Sequence, residues 1–122
     1  MTSRLSELDV KQLVELFATI CLDQDKAILY SDTARYNRLF KQMASVRDEL
    51  KRRNHDQRAA LGALFSHRNL QVRLQAARST LAVMPTQARA LIEEIADSKQ
   101  YPHAGDAGMT LVALDRGTFK PD

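Results

Sequence analysis

The chain has 122 residues, 44% of them hydrophobic and 27% charged, with four glycines and three prolines, so it can build a core and is not disordered or low in complexity. Its longest stretches without Lys, Arg, Asp or Glu, Ala59–His67 and Ser79–Ala88, are far short of the roughly 20 apolar residues that span a bilayer. Net charge is +3, but residues 1–32 carry three basic and six acidic groups, residues 33–80 eleven and three, and residues 81–122 four and six.

The amino terminus, MTSRLSELDV, has no apolar segment behind its charge, and Cys21 is the single cysteine, so no internal disulfide forms. Both features lead to the expectation of a reducing, cytoplasmic protein without a membrane anchor. Spacings of three and four between apolar residues recur throughout, and no segment alternates long enough for a sheet, which predicts an all-α chain.

The first helix is expected from Leu8 to Leu29, burying Leu13, Leu16, Phe17, Ile20, Ala27 and Ile28. Asp32 is the expected N-cap of a second helix reaching Arg53, with Tyr36, Leu39, Phe40, Met43, Val46 and Leu50 on its apolar stripe; the two should pack antiparallel. Asp56 is read as the cap of a short third helix carrying Leu61, Leu64 and Phe65, and Asn69 as the cap of a fourth that ends at Met84-Pro85. Thr86 is the expected cap of a fifth helix. A sixth runs from Ala104 or Gly105 to Arg116, with Gly117 at its C-terminal end. The six helices make three antiparallel pairs in one domain covering residues 1–122, with the first six residues expected to fray.

The fourth helix carries the strongest pattern. Leu70, Leu74, Ala77, Leu81 and Met84 fall on one stripe, and Val72, Ala76 and Val83 lie nearly opposite, leaving Gln71, Gln75, Arg78 and Ala82 for water. Arg73 projects between the stripes. A charge placed there needs a partner, and Asp106, then Asp115, are the expected carboxylates. Asn69, Val72, Arg73, Ala76, Ala77 and Leu81 resemble the second helix of a HEAT repeat, with Leu70 where proline is usual. That resemblance implies that Arg73 bridges neighbouring repeats and that the array is of the right-handed armadillo type. YNRLF at Tyr36–Phe40, the run NLQVRLQAA, and AGDAGMTLVALDRGTFKP at Ala104–Pro121 together resemble a small bacterial family catalogued as a domain of unknown function. The resemblance implies a helical, armadillo-type fold and no particular activity.

Chemistry-bearing motifs are sparse. His55, His67 and His103 stand apart, with no paired-cysteine or regular acidic loop, so no metal or cofactor is expected. Cys21 reads as a small buried hydrophobe. Gly105–Gly108 lacks the lysine and hydroxyl of a phosphate loop; Gly108 is expected to permit close helix packing. The residues near Tyr101, His103 and Asp106 are the remaining place for a pocket of an enzyme, which the chain is not expected to be.

The leading expectation is a protein–protein interaction module with an acidic partner, using Arg35, Arg38, Lys41, Lys51, Arg52, Arg53, Arg58, Arg68 and Arg78. The same cations suit phosphates, so nucleic acid is the rival partner, although the chain has no tryptophan and only 6% aromatics for base stacking. Self-association through Leu22 and Leu29 is a further expectation.

Overall fold

Asp9 begins the first long helix, α1 (Val10–Leu29): its carboxylate accepts from the Gln12 backbone N–H at 2.7 Å, and the Gln12 side chain accepts from the Asp9 N–H at 2.9 Å. This reciprocal pair satisfies two donors that the first turn otherwise leaves unbonded. The computed structural model describes residues 4–122, and among them it is helical with no strand. Leu5–Glu7, in the segment expected to fray, forms one 3-10 turn; residues 1–3 of that segment lie outside the described residues.

After α1 the chain reverses over three residues. Ser31 takes a left-handed φ of 55°, and the Asp32 carboxylate caps α2 (Thr33–Arg52) by accepting from the Arg35 N–H at 3.1 Å. So short a connection makes α1 and α2 an antiparallel hairpin. Most of the expected inner face is buried: Leu13, Phe17, Ile20 and Ala27 from α1, with Cys21 at its edge, and Leu39, Met43, Val46 and Leu50 from α2; of the other expected residues Leu16, Ile28 and Tyr36 are half-buried and Phe40 is exposed. The Cys21 thiol donates to the Met43 sulfur at 3.8 Å, and burial pushes the thiol far above its ordinary range, so it is packed as a hydrophobe.

Chain contacts divide the protein into two compact units, Met1–Ala60 and Leu61–Asp122. The expected third helix is a 3-10 segment, Gln57–Ser66, rather than an α-helix. Asp56 accepts from the Arg58 N–H only two residues on, a tighter turn than an α-helical cap makes.

In the second unit, Asn69 caps α3 (Leu70–Ser79) by accepting from the Val72 N–H at 3.1 Å. This helix stops five residues before the expected Met84, because the Thr80 hydroxyl bonds the carbonyls of Ala76 and Ala77 and the chain turns there. Helix α4 (Pro85–Asp97) opens with Pro85 in its first turn and Met84 as the cap residue; Thr86, the expected cap, lies inside the helix. Proline pre-sets the helical φ where no N–H partner is needed. Helix α5 (His103–Arg116) ends on Gly117, whose φ of 74° is the left-handed stop that glycine supplies without strain. Leu74, Ala77, Leu81, Ala88, Ile92, Ile95 and Ala107 form the core that joins α3, α4 and α5.

Candidate interaction surface

On α2, positions 34, 38, 41, 45, 48 and 52 recur at helical spacing and are all exposed, so they form one solvent-facing stripe. The cations that sequence grouped together divide along this helix. At its C-terminal end Arg52 bonds Glu49 at 2.6 Å and Arg53 bonds the same carboxylate at 2.7 Å, while Arg47 meets Asp48 at 3.2 Å. Just beyond, Arg58 is itself buried and grips Asp56 at 2.7 Å. The hydrogen bonds from Arg53, then Arg52, hold the Glu49 carboxyl below the usual glutamate range, and that from Arg58 does the same for Asp56.

Arg53 also donates to two carbonyls near the amino terminus, Leu5 at 3.0 Å and Leu8 at 2.7 Å. Arg52, Arg53 and Arg58, expected as partner contacts, are each engaged within their own unit, and Arg53 fastens the opening turn to the end of α2. Lys51 is half-buried and also engaged.

Arg35, Arg38 and Lys41, in the N-terminal half of α2, are exposed and make no ion pair among the described residues. On the same half of α2 Phe40 is 36% exposed, although expected in the core, and its ring tilts against Tyr36 with centroids 6.5 Å apart. At the hairpin tip Leu29 and Tyr30 are about three-quarters exposed, at 75% and 76%. Free guanidinium and ammonium groups beside partly exposed rings bind carboxylate or phosphate and bury an apolar neighbour in the same contact. Arg68, exposed, and Arg78, half-buried, belong to the second unit.

Arg73 behaves differently from expectation. Arg73 is half-buried and its Nε is buried without a hydrogen-bond partner. Among the described residues no ion pair joins it to Asp106 or Asp115; Asp115 instead pairs with Arg89 at 3.0 Å, and Asn69 caps its own helix. Of the sector expected to face water, Gln71 and Gln75 are covered, at 0% and 1% exposure, while Arg78 is half-buried and Ala82 exposed. Leucine at position 73 keeps most of the apolar stem and removes an unbonded buried donor that costs about 1–3 kcal/mol. Arg73→Leu is therefore expected to leave the melting temperature unchanged or raise it by a few degrees in thermal denaturation followed by circular dichroism. A marked fall would return the arginine to a structural role.

Near the second unit's end, Tyr101 and Asp106 are exposed and His103 is half-buried. An apolar groove of about 480 Å³ lies on α5, lined by Gly105, Gly108, Met109, Val112, Ala113 and Arg116, with neither His103 nor Asp106 in its wall. A side chain's first carbon at Gly108 would meet nothing within 4 Å, so close helix packing does not require glycine there. Among the described residues no three His, Cys, Asp or Glu side chains gather as a metal site, and no helix is long and apolar enough to cross a membrane.

Together these features define a small all-helical protein whose exposed chemistry is a cationic helix face and an apolar helix face. The chain belongs to the family DUF2019, a domain of unknown function, whose model matches residues 11–115. It is also similar to the protein RPA1889 from Rhodopseudomonas palustris CGA009, known from a crystal structure. The two are 52% identical, the match covers 99% of this chain and 100% of that one, and the TM-score is 0.94. No curated protein matches the chain.

Proposed function

We propose that this protein is a non-enzymatic, HEAT-like interaction module of the cytoplasm that docks an acidic protein segment on the first half of α2. The observation that carries this reading is the division of charge along that helix: Arg35, Arg38 and Lys41 are left uncompensated while the cations after them are spent internally. Phe40, Tyr30 and Leu29 supply the apolar area that a charged contact needs beside it to be more than weak. The HEAT-like part of the proposal rests on Val72, Arg73, Ala76, Ala77 and Leu81 along α3 and the turn after it.

Nucleic acid is the less favoured partner for a quantitative reason. Three phosphate contacts give a salt slope of only about −3, too few for tight binding without base stacking. The test uses a fluorescent acidic peptide of alternating Glu and Phe residues and, in parallel, a single-stranded oligonucleotide. Arg38→Glu combined with Lys41→Glu is expected to weaken peptide binding by more than about tenfold, because two attractions become repulsions, while Arg68→Glu changes it less than threefold. Equal peptide affinity in the double variant would refute the reading. Tighter binding of the oligonucleotide, lost in the same variant, would transfer the site to nucleic acid.

A further inference from the structure

Helix α5 is apolar on two sides. Ala104, Ala107 and Thr110 are buried toward the core of the second unit, while Gly105, Met109, Val112 and Arg116 recur at spacings of four, three and four on the outward side. Met109 is 73% exposed and Val112 47%, the Tyr101 ring lies beside Gly105, and open space faces Gly108. Two exposed charges stand at its ends: Asp106 on one flank in the first turn, and Arg116 on the seam itself in the last. Neither makes an ion pair among the described residues, whereas Asp115 on the other flank is already bound to Arg89. Their ten-residue separation is about 15 Å along the helix axis.

We propose that this face is covered by the same face of a second copy of the chain, with the two α5 helices antiparallel about a two-fold axis. In a two-fold antiparallel pair, flanking residues meet when their numbers have the same sum. The register that sets Asp106 of one copy beside Arg116 of the other also sets Met109 of each over Ala113 of the other. The groove between small side chains thus receives the exposed methionine, and both uncompensated charges find opposites, each contact made twice by symmetry. A parallel pair would put Asp106 against Asp106 and Arg116 against Arg116, so charge selects the antiparallel arrangement. A 14-residue helix is only about 21 Å long, so the contact is smaller than the roughly 800 Å² per partner of a standard interface, and the dimer dissociates at about 100 µM.

The residues of this surface are not those of the α2 docking reading, and its test does not depend on that reading. Sedimentation equilibrium of the full chain up to about 1 mM, at modest salt, is expected to show a monomer–dimer equilibrium. Met109→Asp raises the dissociation constant more than about tenfold, Asp106→Arg or Arg116→Asp alone about fivefold, and the combined charge swap restores it. Circular dichroism confirms that each variant keeps its helix content. The proposal fails if the protein is monomeric throughout, if the charge swap does not recover association, or if the dimer ignores Met109→Asp, as one held by Leu22 and Leu29 would.

Discussion

Phe17→Ala is expected to lower the unfolding free energy by about 3–5 kcal/mol, the largest effect of any single change considered for this chain. Phe17 is the largest of the fully buried side chains, at 0% exposure, and it stands on the α1 face that packs on α2. Truncation removes its transfer free energy and leaves a cavity among groups, such as Leu13 and Met43, that are already fixed in a hairpin. A small domain is stable by only about 5–15 kcal/mol, so this change consumes a large share of the total. Urea denaturation of the variant should show a lower midpoint with an unchanged slope. A loss below about 1 kcal/mol would mean that the hairpin interior collapses freely around the gap.

Arg53→Ala comes second, with a melting temperature lower by about 5–10 °C. The side chain holds three acceptors at once, the Glu49 carboxylate and the carbonyls of Leu5 and Leu8, and removing it frees the opening turn from α2. It also deprives Glu49, whose side chain is almost covered, of one of its two partners. The linked pH effect has a definite sign. Glu49 is held below the usual glutamate range by Arg53 and Arg52, so its stabilisation is complete above the unfolded value near pH 4.3 and is lost as pH falls through the lowered folded value. Asp56 acts in the same direction through Arg58. The difference in melting temperature between the native chain and Glu49→Gln should accordingly be present at pH 7 and shrink in acid. A difference that grew as pH fell would contradict the pairing.

Much of the local structure was legible in the chain. Asp9 was not singled out as a cap, but Asp32, Asn69 and Gly117 were placed correctly, because a cap is a bond between residues two or three apart and the chemistry is visible in the letters. The Arg52 and Arg53 pairs to Glu49 were equally local, at spacings of three and four, and could have been read. They were missed because the basic run was counted as one block of charge. The outward face of α5 has a signal too, in the spacing of Gly105, Met109, Val112 and Arg116, although Gly108 next to it is expected to serve helix packing. Only the open space beside Gly108 shows otherwise.

By itself the sequence determined the all-helical class, most helix boundaries, the burial of Cys21 and the excess of cations between residues 33 and 80, since these depend on neighbours within one or two helical turns. Only the tertiary structure decided that Arg53 is fastened to carbonyls 45 and 48 residues away and that Asp115 is taken by Arg89. It likewise decided that Gln71 and Gln75 are buried and that, among the described residues, Arg73 makes no ion pair with Asp106 or Asp115. Burial, and contacts such as those of Arg53 with Leu5 and Leu8 or of Arg89 with Asp115, are set by what the folded chain brings near from far along the sequence, and no periodicity on a single helix records that.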